Sequence, residues 1–484
     1  MTAPADADPA ASLDAAAAAR HDRHGIEQHG IDIIPPEDRR GTPRDLLWFW
    51  MGVTFNIEFL VFGALLPVVG LSFVQSVIAI LIGNLAWFIT GALSLQGPAA
   101  GTSLFMTVRA AYGTRGGRSV ALLNWISQVT FETIGLALIV LGSVALLVEF
   151  GLTDSTGLRA AVIPIAALIQ LILPIFGHKT ILYVLKLLVP PFMVLYVILT
   201  ILTVPKVELT TQPANFTTFL LGLAIVGATG GFAFTVNGSD YTRYLPADTS
   251  KRGIVWNVGL GGYIPSTLVM ILGAAVASIA NGQFTIDPVS NLHAVFPSWF
   301  VIPYLLVIIA QVYAINTIDL YSSALSLQAL GLPLRRWQAV LVDTVFCSGL
   351  TALAIFSTSF NSFVTDASLM LMIWIAPWVG VYFTDWVLRK GQYDSAALIS
   401  RRGGLYWRNG GWHIPAVIAQ LAGMLVAALA INTSVYEGPL STVLWKDDFS
   451  IPLGLLVAAV VYFALARTGV RREAEQAAVS VHAT

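Results

Sequence analysis

Twelve apolar runs, recurring from near residue 46 to near residue 467, constrain this chain more than any motif does. They fall at about 46–67, 72–96, 120–149, 159–176, 181–204, 216–238, 254–280, 300–328, 338–357, 362–387, 413–432 and 450–467. Each is long enough to cross a hydrocarbon core ~30 Å thick. Helices are the solution for such runs, because they satisfy every backbone polar group where no water is present. The expected fold class is therefore an all-α polytopic membrane protein with 12 transmembrane helices. Composition agrees: only 11% of residues are charged and 56% are hydrophobic, against about 25% charged in a soluble domain. A net charge of −1 gives no basic excess for nucleic acid, and one cysteine, Cys347, rules out a disulfide within the chain.

The connections set the orientation. With the N-terminus inside, 23 of the 26 Lys and Arg residues fall in cytoplasmic segments, leaving Arg159, Lys206 and Lys446 outside. Both termini are then cytoplasmic and the span count is even, as expected of a multi-pass protein of the cell (plasma) membrane. Residues 1–44 read as a largely disordered cytoplasmic tail: Ala-rich, polar and without a signal-peptide core. A cytoplasmic loop follows at 389–412, spans eleven and twelve at 413–468, and a second tail at 469–484. The lipid bilayer is one partner, and no obligate protein partner is indicated.

Charge inside the membrane costs about 2.5–3.5 kcal/mol per residue on insertion scales, so an intramembrane carboxylate is a candidate for function. Glu58, Glu132, Asp319 and Asp366 qualify, whereas Asp343 and Asp385 lie nearer cytoplasmic span ends, where snorkelling or a helix-end role is expected. Span six carries GATGGFAFTVNGSDYTRYLP, with Gly227, Gly230 and Gly231 in five positions. Glycine weakens a helix interior, so this segment predicts either a broken helix lining a cavity or close helix–helix packing. At ~1.5 Å rise per residue, Thr54–Glu58, Glu132, Gly230–Phe232 and Asp319 all come out near one depth, some 15 Å from the cytoplasmic end. That shared layer predicts a central site. If spans one to five (45–204) and six to ten (216–388) are repeats of opposite topology, Glu132 and Asp319 are counterparts, and so are the segment around Asn56 and the glycine-rich break.

Several segments in order resemble the purine and cytosine permease branch of the nucleobase:cation symporter family. They are GALLPVVGLSF closing span one, GSDYTRYLP after span six, NTIDLYSSALSLQALG in span eight and FNSFVTDASLMLMIWIAPWVGVYFTDW in span ten. The resemblance runs from about Ile26 to span twelve. It implies a LeuT-type 5+5 inverted repeat plus two C-terminal helices, and import of a nucleobase driven by Na⁺ or H⁺ through alternating access, with no other cofactor. It places Asn316 and Asp319 at the substrate, Phe131 as the stacking aromatic, and Gly230, Gly231, Phe232 and Phe234 at the unwound contact segment. Gly135 stands where the family often has a polar group. Glu132, Gln128 and Asn56 join the substrate candidates, with Gln128 equally able to be a packing amide. A Na⁺ ion at the junction of spans one and eight would take Thr54, Thr317, Ser322 and Glu58, although Glu58 has no counterpart in the pattern. If protons drive transport, Glu58, Glu132 and Asp319 are the groups to titrate. Asn361 and Asp366 suit an outer gate. The alternative is the same fold carrying allantoin, a hydantoin or a vitamin precursor. A membrane enzyme or channel is disfavoured, because neither HExxH nor GxSxG occurs and no repeated polar pore face is evident.

Overall fold

The computed structural model describes residues 31–482 apart from 173–177, 210–212, 281–288, 290–291, 333, 335, 358, 401 and 445. Most of the expected N-terminal tail, 1–30, lies outside the described residues. Every apolar run meets helix. The first is divided between α1 (Pro43–Thr54) and α2 (Ile57–Val68). The second holds α3 (Phe73–Gly83), α4 (Ala86–Leu93) and α5 (Gln96–Ala100). A short α6 (Leu104–Tyr112) leads into α7 (Thr114–Glu149), the third run, followed by α8 (Thr156–Gln170) and α9 (His178–Thr203). The glycine-rich run is flanked by α10 (Phe216–Thr229) and α11 (Gly238–Thr242). Then come α12 (Lys251–Ile279), α13 (Ser298–Leu330), α14 (Arg336–Ser357), α15 (Phe360–Arg389), the short α16 (Ser395–Ile399), α17 (Ile414–Ala430), α18 (Pro439–Val443) and α19 (Ser450–His482).

Among the described residues eight helices are long and apolar enough to cross a membrane, and the bent pair α1–α2 makes a ninth. Thr156–Gln170, Pro190–Lys206 and Ile414–Ala430 are apolar but shorter. Local signals start the first elements. Thr42 and Asp45 form a reciprocal cap around Pro43, and Ser72 and Gln75 do the same for α3.

Two cores organise the bundle. One joins α1 and α2 to α7, α8, α9, α12 and α13, with α13 running along α7 and α12 covering both halves of span one. The other is built by α15, α17 and α19. Phe131 and Leu221 pack against both cores and so mark the seam between them. Ile78, Ile82 and Leu85 are exposed, as lipid-facing positions of a membrane helix are.

The end of the bundle holding the N-terminal segment carries the basic loops and is here the basic end. Residues 31–40, part of the tail expected to be largely disordered, are docked there. Ile34 N donates to Gly101 O at 2.8 Å, Thr102 Oγ1 to Ile31 O at 2.7 Å, and Arg39 Nε to Ile34 O at 2.9 Å. The C-terminal segment departs from expectation too, because α19 continues unbroken through Val470 to His482. Its Glu473 pairs with Arg389 Nη2 at 3.0 Å and with Arg408. Asp385 is buried, not snorkelling: it pairs with Arg389 at 2.7 Å and accepts from Tyr462 Oη at 2.7 Å. At the opposite end Asp366 accepts from Ser434 N at 2.9 Å and from the Ser434 hydroxyl, and so pins the loop after α17.

Candidate transport site at the paired helix breaks

Span one bends by 58° between α1 and α2. Phe55 and Asn56 leave the helix, Asn56 in extended conformation, and the Asn56 side chain caps α2 by accepting from Glu58 N at 2.8 Å. The freed main-chain groups find a partner that the sequence did not single out. Gln311 of α13 accepts from Ile57 N at 3.0 Å and donates to Phe55 O. Thr54 turns the other way: its hydroxyl donates to Trp50 O at 2.7 Å and reaches Gly261 O of α12 at 3.1 Å. Its expected place at the junction of spans one and eight is therefore corrected, since a hydroxyl on that helix face meets α12.

Span six breaks as its glycines suggested, and packs closely as well. α10 ends at Thr229, and the chain passes through Gly230, Gly231 and Phe232 into a short 3₁₀ turn, Ala233–Val236, before α11. The Gly231 carbonyl accepts from Thr90 Oγ1 at 2.6 Å. A Cβ on Gly231 would stand 2.3 Å from Trp87 N and 2.4 Å from Ala86 C, so only glycine fits against α4. Phe234 is part of an aromatic core: it stacks on Trp87 at 5.0 Å and on Phe59 at 6.0 Å, and meets Trp50 edge-on. That packing turns it away from the substrate role expected of it. Phe232 lines an apolar cavity of about 360 Å³ with Ile82, Leu85, Leu223 and Ile451.

Between the breaks stand two carboxyl groups. Glu58 and Asp319 each keep 7% exposure, while Asn316, Thr317, Ser322 and Glu132 keep none. The two lie close enough for the charge of one to act on the other. Phe131 is half-buried at the seam of the two cores. Gln128 donates to Asn237 Oδ1 at 3.0 Å and to Asn124 Oδ1 at 3.3 Å, and Asn124 donates to Ser326 Oγ at 2.8 Å. This amide ladder ties span three to the break in span six and to α13, and the roles of Asn124, Asn237 and Ser326 went unread in the sequence.

Other expected residues face elsewhere. Asn316 Nδ2 donates to Glu132 O at 3.1 Å and to Gln170 Oε1 at 3.3 Å, and Gln170 Nε2 donates to Glu132 Oε1 at 2.9 Å. Asn316 and Glu132 thus belong to a cluster with α8, turned away from the span-one break. Gly135 makes room for it, since a Cβ there would lie 2.0 Å from Asn316 Oδ1. Thr317 donates to Tyr313 O at 2.9 Å within its own helix, and Ser322 lies beside Tyr241. Among the described residues no group of three or more His, Cys, Asp or Glu is placed to hold a metal ion.

Towards the basic end the site is shut. Tyr241 of α11 stacks on Tyr321 of α13 at 6.5 Å and meets Phe49 of α1 at 4.3 Å with the rings tilted. The buried Arg243 donates to Tyr321 Oη at 3.3 Å. The first half of span one and the second half of span six are thereby closed on span eight.

Comparison with known proteins agrees with this architecture. The family of permeases for cytosine/purines, uracil, thiamine and allantoin matches residues 33–454. A putative purine-cytosine permease of Bacillus subtilis is 26% identical over 462 residues, 93% of this chain and 98% of the relative. A vitamin B6 transporter of Saccharomyces cerevisiae is 25% identical over 393 residues, 75% of this chain and 65% of the relative. Among solved structures, the nucleobase-cation-symport-1 family transporter Mhp1, closed with bromovinylhydantoin bound, superposes with TM-score 0.71 at 15% identity, covering 93% of this chain and 96% of that one. A Na⁺-coupled sialic acid symporter shares the fold at TM-score 0.55 and 12% identity, over 95% and 96% of the two chains. The chain belongs to the family of permeases for cytosine/purines, uracil, thiamine and allantoin, and is a permease, not an enzyme.

Proposed function

We propose that the protein imports a small planar nitrogen heterocycle of the nucleobase class, cytosine or a purine, together with Na⁺ or H⁺. The observation that carries this reading is the pair Glu58 and Asp319, two almost fully buried carboxyl groups on spans one and eight that lie close enough to act on each other, Glu58 at the break in span one. A carboxylate at Asp319 accepts paired N–H bonds from an amidine or amide edge, and Phe131 at the seam offers a face for the ring. Gln128 holds the span-six break in place.

In this reading the chain crosses the plasma membrane twelve times with both termini in the cytoplasm, and spans one to five and six to ten form the 5+5 inverted repeat. The basic end faces the cytoplasm. The closed Tyr241–Tyr321 contact is then the inner gate, and alternating access opens it while the opposite side closes. A bound cation favours the binding-competent state only to the extent that it binds that state better.

The test is exchange of labelled cytosine and hypoxanthine by proteoliposomes, with Na⁺ and pH gradients imposed separately, for the parent protein and Asp319→Ala. Exchange that unlabelled base competes away, and that falls at least tenfold in the variant, supports the reading. Exchange competed by pyridoxine or allantoin but not by any base would move the substrate to another heterocycle on the same site. That second reading is favoured by the vitamin B6 transporter among the relatives.

A further inference from the structure

Behind the substrate space lies a second buried polar cluster that the transport reading leaves unused. Glu132 of α7 has no exposed surface. One carboxyl oxygen, Oε1, accepts from Gln170 of α8, while Oε2 has no hydrogen-bond partner. Beside it stands Cys347 of α14, and one turn earlier on the same helix is Asp343, also without exposed surface. Asp343 Oδ1 accepts from Trp125 Nε1 of α7 at 2.5 Å. Cys347 and Asp343 thus present one face of α14 to Trp125 and Glu132, residues two turns apart on α7.

Among the described residues the charged groups acting on the cluster are all acidic. Glu132 is faced by Asp343 and Cys347 from α14 and by Asp319 from α13, and Asp343 is faced by Trp125 and Ser323. α8 brings the Gln170 amide, α15 packs on α7 through Trp374 at Ser127, and α6 brings Arg109 only at Gly117, where its guanidinium donates to Leu398 O. Among the described residues no Lys, Arg or His is among the groups acting on either carboxyl. Buried carboxylates without a countercharge are costly, so such a pair is neutralised by protons.

We propose that Glu132 holds the coupling proton behind the substrate space and that Asp343 relays it toward the basic end. The transfer is balanced: the Glu132 carboxyl gives its proton to the Asp343 carboxylate through a chain of intervening waters, and Asp343 gives it to water that enters from the basic end when that side opens. The placement suits this order. Asp343 is seven residues from Arg336, about 10 Å along α14, and Glu132 is seven residues beyond Trp125, about 10 Å deeper along α7. Asn316 supplies the link to transport: its amide bonds Glu132 O and Gln170, and it sits three residues before Asp319 on one helix. A change of charge at Glu132 therefore pulls on the helix that carries the substrate carboxyl.

This proposal rests on the symport reading, and its test separates the two. Proteoliposomes loaded with a pH-sensitive dye report protons moved, and labelled base reports substrate moved, for the parent, Glu132→Gln and Asp343→Asn. The ratio of protons to substrate is expected to fall at least tenfold in Glu132→Gln, and proton entry to slow severalfold in Asp343→Asn. An unchanged ratio in Glu132→Gln overturns the proposal, as does uptake driven by Na⁺ with no proton movement. If the parent exchanges no heterocycle, the transport reading fails, and the infrared spectrum of the purified protein decides the proton site alone. A protonated-carboxyl band that titrates in the parent and is missing from Glu132→Gln sustains it, and identical spectra overturn it.

Discussion

Gln311 of α13 accepts a hydrogen bond from Ile57 N at 3.0 Å, so a single amide side chain spans the break in the first transmembrane run. The same side chain donates to Phe55 O. It does what an α-helical turn would have done for those two main-chain groups. The break is thereby held from span eight, the helix that also carries Asp319.

Replacing Gln311 by Leu leaves a buried N–H and C=O unpaired, each at a cost of about 1–3 kcal/mol. We expect a lower unfolding temperature in detergent and at least tenfold slower exchange. Gln311→Glu keeps the acceptor for Ile57 and loses the donor for Phe55, so its defect should be the smaller. A Leu variant as stable and active as the parent would remove Gln311 from this role.

Gly231→Ala places a methyl group against the Ala86–Trp87 backbone, which cannot swing aside as a side chain does. Overpacking of this kind costs about 1–3 kcal/mol. The expected result is loss of exchange with a detectable fall in stability. Gly349→Ala on α14 is the control: nothing lies within 4 Å of its added Cβ, and a helical Gly-to-Ala change there is neutral or stabilising by up to about 1 kcal/mol. Equal effects of the two substitutions in a thermal melt would contradict the close-approach account.

Much of this was legible in the sequence, and what was not has a physical cause. Run length pointed to helix throughout, and the glycine spacing pointed to either a break or close packing in span six, because both follow from local chain physics. Gln311, Gln170 and Asn124 escaped because an uncharged amide in an apolar run carries no sign of which neighbour it will meet. Asn316 was placed at the substrate with Asp319 by the resemblance, and although residues three apart are only about 60° apart around a helix, its amide is taken up by Glu132 and Gln170. The docking of residues 31–40 is made chiefly by main-chain groups at Ile31, Ile34, Pro98 and Gly101, which leave no compositional trace.

Glu473→Ala should loosen the basic end. It removes the carboxylate shared by Arg389 and Arg408, and Arg389 is fully buried. Arg389 retains Asp385, so the loss falls below the 3–5 kcal/mol of a wholly broken buried pair and should be about 1–3 kcal/mol. Thermal unfolding and protease cleavage within 389–412 measure it, and an unchanged cleavage rate would argue against the clamp.

Asp447, in the loop before α19, is pushed up from 3.8 to about 6, first by burial and then by the neighbouring Asp448 carboxylate. An acid raised in the folded chain binds its proton more tightly there than when unfolded. Its contribution is therefore fully present below pH 3.8 and lost as the pH rises through about 6. Protease cleavage near 432–449 should accelerate over that interval in the parent and stay flat in Asp447→Asn. Parallel profiles would assign the change to another group.

The absence of a side chain at Gly135 is matched to the presence of one at Asn316, whose Oδ1 occupies the space a Cβ would need. Substitution histories at the two positions should consequently be coupled. A relative bearing a polar residue at 135 can accept it only if the amide at 316 has shortened, rotated or gone. Altered substrate preference within the family would then be reached through paired replacements, with either one alone passing through a poorly folded intermediate.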